Sequence, residues 1–275
     1  MGQWSEGYCQ ANGIEIHYLR TGGGKPSVVC LHGFTDDGAC WTPLARELEA
    51  EWDVIMPDAR AHGLSSVPSS GYDTQELAAD VIGLIEALRL GRPILVGHSM
   101  GGITAAVVAK ERPDLVRGLV LEDPAFVSRG GEQDVEREEA RRARGREWLE
   151  NHKKLLETPL EQVIAARLEE TPHWSREVVE LWARSKHLTK LEAFALLEKG
   201  LPDYREVVTG IECPTLVVMG EVERGGIVSE TMADELRALN PKVRCEKVAG
   251  AGHCVRYDRP EEFAALAKAF LRSLS

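Results

Sequence analysis

A serine hydroxyl is a poor nucleophile at neutral pH until a base is placed to accept its proton. The serine best placed for such chemistry here is Ser99, in Ile94-Leu-Val-Gly-His-Ser-Met-Gly-Gly-Ile103. Ile94, Leu95 and Val96 follow Pro93 as a short apolar run and read as a buried strand. Gly97 to Gly101 then spell Gly-x-Ser-x-Gly, and helix-like sequence follows at once. Such a turn lifts the serine above the sheet, and glycines at 97 and 101 avoid collision with backbone in so tight a bend. The helix behind it aims free N–H groups and its positive dipole end at the place where an oxyanion would form. Read for structure alone, the same stretch is a glycine-rich strand-to-helix turn with an idle serine.

Further groups fall at strand ends. Ser27 to Leu31 is a continuous apolar run ending in His32-Gly33-Phe34, and Val54 to Met56 leads into the polar loop Asp58 to Ser65. Gly118 to Leu121 ends in Glu122-Asp123-Pro124, and Pro214 to Met219 in Gly220-Glu-Val-Glu223. Val243 to Val248 leads to Gly250-Ala-Gly-His253, a histidine on a glycine-rich loop. Gly22-Gly23-Gly24 has neither dinucleotide nor Walker spacing. The six cysteines (9, 30, 40, 213, 245 and 254) contain no CxxC pair and read as free thiols, with no metal framework. Cys254 follows His253 and is expected to be a bystander.

The elements that must position these groups alternate. Tyr8–Ala11 and Ile14–Leu19 flank Asn12-Gly13 as a hairpin, which puts His17 on the polar face as a solvated side chain. Helices are expected at Trp41–Ala50, Thr74–Leu90, Ile103–Lys110, Ser229–Leu239 and Glu261–Leu274. Strands alternating with helices at this spacing mean a mostly parallel α/β sheet with helices on both faces. Right-handed crossovers bring loop 32–37, the Ser99 turn and loop 122–128 to one carboxyl edge. From about 129 to 209 strand signals vanish, and charged helices are expected near 132–156, 159–170, 175–187 and 190–200. Leu160, Val163, Ile164 and Leu168 make one apolar face, and Val178, Leu181 and Trp182 another. This gives a core of 1–128 and 210–275 with a helical cap of 129–209 over the active edge. Packing within the cap is the plain role for Trp148, Trp174, Trp182 and Phe194, with Trp148 and Trp182 the expected substrate contacts.

Hydrophobic residues make up 43% of the 275-residue chain, enough for a full core. The net charge of −11 argues against a nucleic-acid or anionic-membrane surface. The N-terminus shows neither a signal-peptide pattern nor a myristoylation pattern. No apolar run approaches the ~20 residues that span a bilayer. A cytoplasmic protein without a membrane partner is expected.

His32-Gly33-Phe34, Asp58-x-Arg60-x-His62-Gly63-x-Ser65, Gly97-His-Ser-Met-Gly-Gly102 and Gly252-His253, in this order, resemble the α/β-hydrolase family, most closely its capped serine esterases and lactonases. The resemblance spans nearly the whole chain except the cap. It implies Ser99 as nucleophile, His253 as general base, and the backbone N–H groups of Phe34 and Met100 as oxyanion hole. It sets His32, Gly33 and His98 at the substrate edge, although His98 packs beside the elbow rather than moving protons. It makes the Asp58–Ser65 loop a brace, with Ala61 where glycine is commoner. For the acid, family members usually carry Gly-x-x-Asp after the penultimate strand. Glu223 stands at that position, and Asp123, at the end of the preceding core strand, is the alternative.

The expected activity is hydrolysis of a small-molecule carboxylic ester or lactone through an acyl-serine, with no cofactor and no metal. The same triad supports C–C bond hydrolysis of diketones or cofactor-free perhydrolysis, and some relatives use the fold to sense a ligand without turnover. Serine in place of aspartate argues against the dehalogenase and epoxide-hydrolase branches. The apolar cap faces predict an apolar pocket roof, so uncharged acyl or aryl esters should outperform charged substrates.

Overall fold

The computed structural model describes residues 4–129 and 134–274. The hairpin β1 (Ser5–Ala11) and β2 (Ile14–Arg20) closes with Ala11 opposite Ile14. Its turn residues Asn12 and Gly13 both have positive φ, 48° and 76°, as a two-residue hairpin turn demands. His17 departs from the solvated role expected of it. It is buried, with Nδ1 2.7 Å from Asp58 and Nε2 3.1 Å from Glu6, because the loop after the fourth strand folds back over this face.

The chain continues through β3 (Ser27–Leu31), α1 (Thr42–Leu48), β4 (Asp53–Pro57), α2 (Thr74–Ala87), β5 (Ile94–His98), α3 (Met100–Glu111) and β6 (Gly118–Glu122). Next come helices α4 (Asp134–Glu157), α5 (Leu160–Glu170) and α6 (Arg176–Leu188), a 3-10 turn at Leu191–Ala195, and α7 (Leu196–Lys199). The start of α4 expected at 132 lies outside the described residues. The chain ends with α8 (Tyr204–Val208), β7 (Thr215–Met219), α9 (Glu230–Leu239), β8 (Val243–Lys247), α10 (Val255–Asp258) and α11 (Pro260–Ser273). The short helices α8 and α10 carry no periodic signal long enough to read from sequence. Tyr204, Val207 and Val208 of α8, within the 129–209 stretch, pack into the main core.

The eight strands form one sheet in the order β1-β2-β4-β3-β5-β6-β7-β8, antiparallel at the β1 end and parallel from β4 onward. The central strands are apolar on both faces because helices cover both. Val29, Leu31 and Leu95 join the core beneath α2 and α3, while Val28, Cys30, Ile94 and Val96 join the core beneath α1 and α11. Parallel pairing brings the ends of β3, β5, β6, β7 and β8 to one edge, where the loops carrying the candidate groups leave the sheet. All six cysteines are free thiols. Among the described residues no helix is long and apolar enough to cross a membrane.

Candidate active site

Ser99 sits between β5 and α3 with φ 49° and ψ −111°, a left-handed conformation that costs a non-glycine residue of the order of 1–3 kcal/mol. Its surroundings enforce it. The Ser99 N–H donates to Glu122 O (3.0 Å), and its carbonyl accepts from Gly102, Ile103 and Ala125. A Cβ at Gly97 would collide with the Gly101 carbonyl, and one at Gly101 with the Leu31 carbonyl. The glycines of the motif are therefore required by close backbone approach.

His253 leaves the sheet after β8. Its Nδ1–H donates to Asp123 Oδ2 at 2.6 Å, which leaves Nε2 as the proton acceptor. Asp123 follows β6 directly, is wholly buried, and has φ 37°. Its carboxylate also accepts from the N–H groups of Ile227 (2.8 Å) and Val228 (3.0 Å). Three donors therefore hold an otherwise inaccessible charge.

The carboxylate on the imidazole is thus Asp123, and the expectation of Glu223 is corrected. Glu223 lies in an exposed 3-10 turn, Val222–Arg224. That turn is pinned by Glu221 N–H to Ala251 O (2.7 Å) and carries the chain round until Ile227 and Val228 point their N–H groups at Asp123. The loop after β7 supplies donors to the acid rather than the acid itself.

His98 donates from Nε2 to the His253 carbonyl (3.0 Å), and the two rings lie 4.6 Å apart. Burial, followed by the nearby Arg256 charge, pushes the His98 imidazole well below its ordinary range, so it is neutral. It braces the histidine loop, in keeping with its packing beside the elbow. Cys254 is pushed up to about 12 by burial, so its thiol stays protonated beside His253.

Phe34 lies in the loop after β3 and lines the cleft with Ser99, and Met100 opens α3 directly after Ser99, which sets both backbone N–H groups at the serine's edge of the sheet. The Phe34 loop is tied down from behind. Thr35 N–H donates to His62 Nε2 (3.3 Å), and His62 Nδ1–H donates to the Arg60 carbonyl (2.8 Å). Arg60 in turn grips Asp80 through two nitrogens, at 2.6 and 2.7 Å. Asp58 accepts from Gly38 and Leu64, and Ala61 takes φ 57°, the conformation for which glycine is commoner.

Ser99, His98 and His253 line a cleft of about 350 Å³, together with Phe34, Trp148 and Trp182. His32 does not reach it, correcting the expectation of substrate contact. Its Nδ1–H donates to the Gly33 carbonyl and its Nε2 accepts from Ala59 N–H, so both nitrogens serve the loop. Gly33 is likewise absent from the lining. Its role is to let His98 approach, since a Cβ there would lie 2.5 Å from His98 Nδ1.

Sequence reasoning missed the polar part of the lining: Asn151, His152, Arg167 and Lys186. These residues add charged and polar groups to a roof that is otherwise largely apolar, with Trp148, Leu155 and Trp182. Lys186 reaches down from α6 to Asp36 Oδ1 (2.5 Å) and the Thr35 carbonyl (3.0 Å). Arg256 approaches Asp36 from the other side (2.9 Å) and pairs with buried Glu122 (2.9 Å). Burial opposes ionisation of Asp36, but the Lys186 and Arg256 charges outweigh it and hold the carboxyl below its usual range. Among the described residues no cluster of three or more His, Cys, Asp or Glu is arranged to hold a metal ion.

The model of the alpha/beta hydrolase family matches residues 28–266. A 2-(acetamidomethylene)succinate hydrolase of Mesorhizobium japonicum is 31% identical over 257 residues, covering 88% of this chain and 87% of that protein. An N-formylmaleamate deformylase of Pseudomonas putida is 29% identical over 273 residues, covering 96% of both chains. The crystal structure of an E-2-(acetamidomethylene)succinate hydrolase superposes with a TM-score of 0.80 at 26% identity, covering 98% of this chain and all of that one. An eight-stranded sheet with a strained serine at the end of β5, and a family model that matches most of the sequence, lead to one conclusion: the chain belongs to the alpha/beta hydrolase family.

Proposed function

We propose that this chain is a serine hydrolase that cleaves a carboxylic ester or lactone through an acyl-serine at Ser99. The observation that carries the reading is the 2.6 Å bond from His253 Nδ1 to a wholly buried Asp123, at the sheet edge that bears Ser99. In this mechanism His253 Nε2 takes the Ser99 proton as Oγ attacks the carbonyl carbon. Phe34 and Met100 N–H groups hold the oxyanion, and His253 then protonates the departing alcohol. Water, deprotonated by the same nitrogen, attacks the acyl-serine, and the acid leaves as Ser99 regains its proton. Asp123 fixes the imidazole tautomer and offsets the positive charge that builds on it. The helices between β6 and β7 act as a cap that roofs the cleft.

A second reading keeps the same acyl-serine but breaks an N-acyl bond. It is favoured by the acetamido and N-formyl groups in the names of two relatives. Turnover of matched methyl esters and N-acyl amides separates the two. Under either reading a fluorophosphonate probe labels Ser99, and Ser99→Ala lowers kcat by about a million-fold with the fold intact. Labelling elsewhere, or activity in that variant, would sink both.

A further inference from the structure

We propose that Arg167 of α5 anchors a carboxylate on the substrate, so that the preferred substrates are small acyl compounds bearing a free acid group. The proposal rests on reading Ser99 as the nucleophile and deepens it by naming the substrate class.

Charge is the first argument. The chain carries −11 overall, yet the charged groups lining the cleft, apart from the histidines, are Arg167, Lys186 and one carboxylate, Asp36. Lys186 is consumed by Asp36 at 2.5 Å. Arg167 is left as the cation without a compensating partner in the cleft. Its ion pair, Glu170 at 3.1 Å, is a neighbour on the same helix and is 64% exposed, so water and salt screen it.

The second argument is an unmet hydrogen bond. Arg167 Nε is buried and has no partner among the described residues. The guanidinium as a whole is part-exposed, so Nε is its one unmet donor, and a ligand oxygen would satisfy it. The guanidinium is also held in place before anything binds. It lies 3.9 Å over the Trp182 ring and 5.8 Å from the Trp174 ring, so little freedom remains to be lost on binding. A flat fork suits a flat carboxylate, and one surplus positive charge suits a monoanion better than a phosphate dianion. A cleft of about 350 Å³ lies at the small end of the ~300–1,000 Å³ seen for ligand pockets.

The test compares monomethyl succinate with neutral methyl valerate, in the wild type, Arg167→Gln and Arg167→Lys. The wild type should favour the acid ester in kcat/KM. Arg167→Gln should lower kcat/KM for monomethyl succinate by about tenfold to a hundredfold, mainly through KM, and leave methyl valerate within about twofold. Arg167→Lys should recover part of the loss. Equal losses on both esters, or a wild type that favours methyl valerate, would overturn the proposal. Monomethyl succinate binding to Ser99→Ala, measured by calorimetry, separates this idea from the serine-hydrolase reading. Weakened binding in the Ser99→Ala/Arg167→Gln double variant supports the anchor even if no ester turns over. Unchanged binding, or phosphate binding as tightly as monomethyl succinate, overturns it.

Discussion

The carboxyl edge of the sheet and the helices inserted after β6 meet across one cleft, but they are built on different terms. At the sheet edge the backbone does the positioning. Ser99 and Asp123 both hold positive φ, and parallel ladders on both sides fix where their strands end. On the helical side the work is done by side chains reaching down: Trp148, His152, Arg167, Trp182 and Lys186. The first surface is specified by close backbone approaches and admits few sequences. The second tolerates many, because a helix face asks only for a periodic apolar stripe and leaves the remaining positions free. On the proposed function the reaction belongs to the edge and the choice of substrate to the helices, so substitutions on the two sides should fail differently.

The largest expected effect falls on the edge. Asp123→Asn keeps the shape but loses the charge that stabilises imidazolium, and it should cut kcat by about 10³- to 10⁴-fold with KM little changed. Glu223→Gln, on its exposed turn, should change kcat by less than about twofold. Steady-state kinetics on any turned-over ester decides the matter, and a larger loss at Glu223 would undo the assignment of the acid.

This contrast also explains what could be read from the sequence. The strand runs and the Gly-x-Ser-x-Gly turn were legible because their residue types follow from buried ladders and collisions with backbone. The acid was misplaced because the choice between Asp123 and Glu223 depends on a loop path. Residues 220–228 turn so that N–H groups, rather than a carboxylate, face inward, and no local propensity in that stretch reports it. His17 was misplaced for a similar reason, since Asp58 comes to it from another loop. The cations of the cleft did leave a signal. Arg167 follows Val163 by four residues and Ile164 by three, and Lys186 follows Trp182 by four. Each is a charge on an otherwise apolar helix face, a placement that requires a partner below.

Lys186 is where the two regions are joined, so it tests whether the helices are docked by charge. Lys186→Met retains most of the apolar stem but leaves Asp36 facing Arg256 alone. Breaking a buried pair on one side typically costs ~3–5 kcal/mol. The same loss of stability is expected here in denaturant titration, together with a raised KM. A change below about 1 kcal/mol would mean that the apolar contacts hold the helices and that the ion pair is incidental.

The smallest effect concerns how that difference varies with pH. Asp36 has a folded-state pKa below its ordinary value, so its contribution is present above the unfolded value near 4 and fades as pH falls through the folded one. Without Lys186, burial works against a carboxylate held by Arg256 only, and the folded pKa moves up. Between the two folded values the variant binds a proton that the wild type does not, so the stability gap narrows as the solution is acidified. Glu122, raised by burial despite Arg256, pulls in the opposite sense, but it is present in both proteins and largely cancels in the difference. Unfolding free energies of wild type and Lys186→Met should therefore differ most in mildly alkaline solution and converge as pH falls, first as Asp37, pushed up to about 7 by burial and lowered by Lys186, takes up its proton, and then as Asp36 does. A gap that stays constant into acid would show that Asp36 is not the charge Lys186 serves, and the helices would be held by their apolar faces alone.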